Sequence, residues 1–224
     1  MIVDKLEQSL RPPETKMVPY PAKYITLASG EKMVVHQASR EDVPTLLEAI
    51  RPLMTVERDF YDIVAARFYA ELLGWYRYRV KDEYCLVGTI DGVIVGIVNG
   101  RMVDEKVGMS YHTIAIKRGL RIGAQLFAAK MEYHLDYLGQ EEVLIVAESP
   151  IGYRRWMIEY ELESRPSTWH ELGGVPTHVL TKALWEKHKA MKCTGRRPAP
   201  PEMLETARKL ILPSEYPQIP GFER

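Results

Sequence analysis

Apolar positions along this chain alternate between two periods. Tyr24-Ile25-Thr26-Leu27 and Met33-Val34-Val35-His36 are short β-prone runs on either side of Ser29-Gly30, which reads as a hairpin. Ser39-Arg40-Glu41-Asp42 follows as a helix start: Ser39 can accept from the amide three residues on, Asp42 can reach back, and Leu46, Leu47 and Ile50 sit at helical spacing. Pro44 lacks an amide donor, so a start nearer Asp42, which puts Pro44 in the first turn, costs less. Phe60, Tyr61, Ile63, Val64, Phe68, Leu72 and Leu73 predict a second helix within residues 54–80.

The period of two then returns. Residues 84–90 and 93–102 flank Asp91-Gly92, a two-residue turn whose glycine tolerates positive φ, and a partner strand is expected over 107–116. Residues 119–138 carry Ile122, Leu126, Phe127, Ala129, Tyr133 and Leu138 at helical spacing, with Gly139 as a left-handed stop. Val143-Leu144-Ile145-Val146-Ala147 is uninterrupted and rich in β-branched residues, the pattern of a strand covered on both faces. More structure is expected over 153–162, and a strand over 177–180. The fold class is therefore α/β (α+β): a mixed, mostly antiparallel sheet flanked by helices.

The flanks read differently. Pro12, Pro13, Pro19 and Pro21 make residues 1–23 an arm across the surface rather than a regular element. Residues 24–185 form the domain. Residues 186–224 form a tail in which Lys187, Lys189, Lys192, Arg196 and Arg197 precede Pro198-Ala199-Pro200-Pro201 and a short helix over 202–211.

Charge and composition exclude several roles. Lys and Arg together number 30 and so do Asp and Glu, so no global field draws the protein to nucleic acid or to an anionic membrane, and neither partner is expected. The basic stretch of the tail reads as a solvated helix face. Cys85 and Cys193 lie far apart and read as free thiols in a reducing compartment. The start of the chain lacks the order of a signal peptide, and the most apolar run is the five residues just named, where roughly twenty are needed to span a bilayer, so the expected location is the cytoplasm. His170 and His178 have no further ligand at metal-binding spacing, so no metal site is expected.

Chemistry is most legible at Arg118-Gly119-Leu120-Arg121-Ile122-Gly123, where a strand runs through a glycine into a helix. The first turn of a helix leaves amide donors unpaired and attracts phosphate. Gly119 permits close backbone approach, and Arg118 adds a permanent charge able to grip two phosphate oxygens. Here the chain resembles the GNAT superfamily, whose pyrophosphate loop is written Gln or Arg, two residues, Gly, one residue, Gly or Ala. Arg118-x-x-Arg121-x-Gly123 matches two of those three positions, with Arg121 where the family has Gly. The resemblance extends to residues 35–42 as first strand and helix start, to the 87–96 hairpin, and to Thr181-Lys182-Ala183-Leu184 as a closing strand.

The resemblance implies an N-acyltransferase in which an amine attacks an acyl-CoA thioester directly. It implies acetyl-CoA or another acyl-CoA as co-substrate, held by Ile114, Ala115, Ile116, Arg118, Gly119, Arg121, Ile122, Gly123 and Ala124. The backbone of 114–116 would supply oxyanion donors. Arg121 would narrow the loop or add a phosphate contact. Tyr160, or else Tyr153, would protonate the departing thiolate, Tyr160 being favoured by spacing. His112, on the strand leading to the loop and with an ordinary pKa of about 6.5, suits the base; Glu57 and Asp59 are weaker candidates. The acceptor would be a small-molecule or peptide amine, and a homodimer stays open. Two further readings remain open: an acyl-carrier-protein-dependent transferase of the same fold, and a catalytically inactive GNAT-like module that binds an acyl-CoA or a partner.

Overall fold

The computed structural model of the protein describes residues 5–217, so the outermost parts of the expected arm and tail lie outside it. A mixed sheet carries eight strands: β1 (Lys23–Thr26), β2 (Lys32–Gln37), β3 (Glu83–Ile90), β4 (Val93–Met102), β5 (Val107–Ala115), β6 (Glu142–Ile145), β7 (Glu163–Ser164) and β8 (His178–Thr181). They lie in the order β1-β2-β3-β4-β5-β6-β8-β7. Every neighbouring pair is antiparallel except β5 with β6.

The helices are α1 (Lys5–Ser9), α2 (Val43–Ile50), α3 (Tyr61–Tyr76), α4 (Ile122–Glu132), α5 (Pro150–Gly152), α6 (Lys182–Lys192) and α7 (Pro201–Ala207). A wider turn continues α4 over Tyr133–Tyr137 and α5 over Tyr153–Ile158. On one face of the sheet α2 and α3 bury Leu46, Ile50, Phe68 and Leu72 against Val87, Ile97 and Ile114. On the other, α4 and its continuation bury Ile122, Leu126, Ala129 and Tyr133 against Val35, Leu86 and Val98. Phe127, Met131 and Leu135, also on α4 and its continuation, pack with Val143, Ile145, Leu180 and Trp185. Each such aliphatic side chain contributes roughly 1.5–3 kcal/mol on burial, so α4 is fixed from two directions.

Local signals act as the pattern implies. The Asp42 carboxylate accepts from Ser39 N at 2.7 Å and from Ser39 Oγ at 2.9 Å, and Pro44 falls in the first turn of α2. Asp91 and Gly92 both have positive φ, 50° and 83°, which suits the right-handed twist of the β3–β4 hairpin. Gly96 lets α4 approach β4: a Cβ there would stand 2.7 Å from Leu126 Cδ1 and 2.8 Å from Ile114 O.

Four expectations need correction. Residues 5–9 of the arm are helical, because the prolines begin only after them. The helix expected within 54–80 starts at Tyr61, since Asp59 and Phe60 take positive φ and break the run. The α4 helix starts at Ile122 rather than Gly119. Thr181-Lys182-Ala183-Leu184 is not a closing strand: β8 ends at Thr181, whose Oγ1 accepts from Leu184 N and caps α6.

The two flanks are tied to the domain. Tyr24 and Arg196 exchange both backbone hydrogen bonds, and Ile211 bonds to Gly92 and Ile94 along the β3–β4 hairpin. Beneath the first of these contacts, the Glu132 carboxylate accepts from Tyr20 Oη at 2.8 Å, Lys23 Nζ at 2.9 Å and both terminal nitrogens of Arg197 at 2.8 and 2.7 Å. Burial opposes ionisation of Glu132, but these donors outweigh it and hold the carboxyl at about 2. One carboxylate at the end of α4 thus joins the arm, β1 and the tail. Among the described residues no helix is long and apolar enough to cross a membrane.

Candidate functional site

Parallel pairing of β5 with β6 runs from Val107↔Glu142 to Ser110↔Ile145 and stops. Beyond it β5 continues to Ala115, whereas the chain after β6 turns at Ser149, whose Oγ accepts from Gly152 N at 3.1 Å, into α5. The strands part, and α5 and the start of α3 wall the gap. The cavity there has a volume of about 290 Å³, with Tyr61, Ala115, Arg118, Gly123, Ser149 and Trp156 among its lining residues. A smaller recess of about 50 Å³ shares Val64, Thr113, Ser149, Gly152 and Trp156 with it and reaches His112 and Glu148.

Alternation along an antiparallel ladder decides which backbone groups face this gap. Ile116 N donates to Val95 O at 2.8 Å, and Ile114 O lies beside Gly96 on β4. The Ile114 and Ile116 backbones are therefore turned toward β4, which removes both as oxyanion donors. Thr113 and Ala115 face the opposite edge, and Ala115 O accepts from Tyr61 Oη at 2.9 Å.

The helix start lies three residues beyond the expected Gly119 and carries one strained residue. Arg121 precedes α4 at φ 58° and ψ 23°, the left-handed region, and the first helical bond is Gln125 N to Arg121 O at 3.1 Å. The amides of Ile122, Gly123 and Ala124 thus precede the intrahelical ladder. Gly119 has φ 88°, and nothing lies within 4 Å of a Cβ built on it. This leaves room beside the helix start for a phosphate-bearing group. Cations ring it: Lys117, Arg118, Arg121 and Arg155 all line the larger cavity. Arg118 is held by Asp59 Oδ2 at 2.6 Å and lies over the Tyr61 ring. The Arg121 side chain is 64% exposed and its guanidinium lies 3.9 Å from Glu159.

His112 is buried, its ring beside Phe68 on α3 with centroids 5.4 Å apart. Its Nδ1 is 3.7 Å from Glu148 Oε2, within charge interaction but beyond a direct hydrogen bond. Its Nε2 is buried without a hydrogen-bond partner. Burial lowers the His112 pKa, and Glu148 pulls it the other way. Burial also opposes ionisation of Glu148, yet His112 and Arg67 on α3 outweigh it and keep that carboxyl below its ordinary value. The result is an imidazole held toward its neutral form, with a buried, unpartnered nitrogen and a carboxylate behind it.

Neither expected tyrosine reaches the cavity walls. Tyr160 is 2% exposed and packs on Phe127 and His188, where burial raises its pKa far above the ordinary value. Tyr153 is 49% exposed and sets its ring edge-on to His178. The tyrosine that lines the larger cavity is Tyr61. Sequence reading also missed Glu148, Arg155 and Trp156, the last stacked on Phe127 with centroids 4.1 Å apart. Their signal was weak: a carboxylate straight after a buried strand, and residues on a short helix with no regular period. Asp59 sits in the wall as the partner of Arg118, not as a base.

No protein-family model and no curated protein matches the chain. Among solved structures it is similar to an uncharacterised protein of Bacillus halodurans, with 11% identity, a TM-score of 0.55, and coverage of 79% of this chain and 96% of that one. It is equally similar to the GNAT domain of S. lividans PAT, with 11% identity, a TM-score of 0.54, and coverage of 74% of this chain and 99% of that domain. The strand order, the parting of β5 from β6 over a helix start and this likeness agree: the chain has the GNAT fold.

Proposed function

We propose that the protein transfers a short acyl group from a CoA thioester to an amine. The observation that carries this reading is the gap between β5 and β6, with the α4 amides and a ring of cations on one side and the His112–Glu148 pair at its floor. The amides of Ile122, Gly123 and Ala124, with Arg118, Arg121 and Arg155, hold the pyrophosphate. The thioester reaches inward along β5, where Ala115 and Thr113 face it. His112 Nε2 takes the proton of the attacking amine, directly or through one water, and the Glu148 carboxylate stabilises the imidazolium that results. Tyr61 replaces Tyr160 as the proton donor to the departing thiolate. Burial raises the Tyr61 pKa, with Arg118 lowering it in part, so the hydroxyl remains protonated; its hydrogen must leave the Ala115 carbonyl, which accepts it at 2.9 Å, to reach the thiolate.

The test is calorimetric titration with CoA and with acetyl-CoA, followed by thiol release over a panel of small amines and peptide N-termini. Micromolar binding together with turnover on one acceptor class is expected. Absence of binding overturns the reading, and binding without turnover on the whole panel points to a sensing module instead.

A further inference from the structure

Strands β4 and β5 fall out of step beside His112. Val98 pairs with Thr113 and Gly100 with Ser110, so the single residue Asn99 faces both Tyr111 and His112. This is a bulge, which re-aims the side chain it carries and leaves backbone groups outside the ladder. Both polar groups of the His112 backbone are met by side chains. Its N–H donates to Asn99 Oδ1 at 2.9 Å, and its carbonyl accepts from Lys130 Nζ at 3.0 Å. Asn99 is itself held, since its Nδ2 donates to Glu83 Oε1 at 2.7 Å and Arg101 Nε donates to Glu83 Oε2 at 2.7 Å.

Lys130 is the unexpected member. It lies on the inner face of α4 at 0% exposure, and its acceptors are two uncharged oxygens, His112 O and Thr113 Oγ1 at 3.2 Å. A methionine fills such a place without desolvating a charge, so the ammonium is a burden on stability. What it acts on is the peptide joining His112 to Thr113. In a trans peptide the C=O and N–H point in opposite directions. With the carbonyl on Lys130, the Thr113 N–H points to the edge of β5 that parts from β6.

We propose that Asn99 and Lys130 are positioning residues for the reaction centre: they hold the bulge that aims His112, and the buried ammonium polarises the 112–113 peptide so that its cleft-side N–H becomes a stronger oxyanion donor. The inference rests on the acyl-transfer reading. Burial lowers Lys130 to about 7, against the pull of Cys85 and Glu83 on β3. Other titratable groups coupled to it are His112 on β5, His134 beyond the end of α4, and His170 in the segment between β7 and β8. The wild-type kcat then falls as the ammonium discharges toward alkaline pH, in the range where the buried Glu83, raised to about 8, also titrates, and the limb is assigned to Lys130 by its loss in Lys130→Met.

The experiment compares full-length wild type, Lys130→Met and Asn99→Ala in three measurements: thermal midpoint, kcat against pH, and the His112 ring titration by 15N NMR, assigned by its loss in His112→Gln. For Lys130→Met the expected result is an equal or higher midpoint, kcat lower by 10- to 100-fold with donor KM within about twofold, loss of the alkaline limb, and a raised His112 midpoint. Asn99→Ala is expected to lower kcat while retaining that limb. An unchanged kcat in Lys130→Met, or a loss of kcat that simply follows a fallen thermal midpoint, overturns the proposal. If the wild type itself turns over no amine, the acyl-transfer reading fails. The NMR arm then decides separately: a His112 titration unmoved by Lys130→Met removes the clamp as well.

Discussion

Glu132→Gln is the sharpest test of how this chain is held together. The Glu132 side chain is 10% exposed and that of Lys23 1%, and Arg197 closes the cluster with both terminal nitrogens. Lowering a carboxyl from its ordinary 4.5 to about 2 corresponds to about 3 kcal/mol of folding free energy at neutral pH. Residual solvent screening trims this toward 2 kcal/mol, while leaving Lys23 and Arg197 without their anion raises it toward 3–5 kcal/mol, as for other broken buried pairs, so about 3 kcal/mol is expected. In a chain of this length that lowers the thermal midpoint by roughly 6–12 °C. The sign with pH follows from a depressed carboxyl: the contribution is full above about 4.5 and is lost as pH falls toward 2. Urea unfolding of wild type and Glu132→Gln between pH 7 and pH 3 measures both. The two curves converge as the pH falls. A difference under 1 kcal/mol at pH 7, or one that persists undiminished at pH 3, refutes the role given to this carboxylate.

Other outcomes are equally specific. His112→Gln lowers kcat/KM by roughly 10²- to 10⁴-fold, and because burial lowers the His112 pKa, the acid limb of the wild-type rate lies below pH about 6.5 and disappears in the variant. Tyr160→Phe leaves kcat within about twofold, whereas Tyr61→Phe lowers it about tenfold or more, as loss of a general acid does; steady-state thiol release separates them. Arg121→Gly exchanges left-handed strain of roughly 1 kcal/mol for the similar entropic cost of glycine. Its thermal midpoint therefore barely moves, while calorimetry shows CoA binding weakened at low salt and converging with wild type at 1 M NaCl, where the Debye length is about 3 Å. Gly96→Ala drives a methyl into Leu126 and the Ile114 carbonyl, destabilising by about 1–3 kcal/mol in urea titration.

What the sequence determined by itself was local: signals carried within a few residues. The Asp91-Gly92 turn, the Ser39–Asp42 helix start and the glycine-rich loop before α4 depend on neighbours close in the chain; the first two formed where their residues indicated, and the helix after the loop began three residues late, at Ile122. His112 lies on the strand that leads to that loop, as its position indicated, but its burial was not legible in the sequence. What only the tertiary structure decided depends on partners far apart. Tyr160 and Tyr61 look alike in sequence, but one points into the layer between α4 and α6 and the other lies against Ala115. Which of residues 114–116 turns its backbone to the cleft follows from ladder register. The parting of β5 from β6 begins where their parallel pairing ends at Ser110, next to the bulge opposite Asn99. No periodicity encodes the meeting of Glu148, Arg67 and His112, or of Lys130 with the His112 carbonyl, because burial and charge pairing act through space between residues brought together only by the sheet.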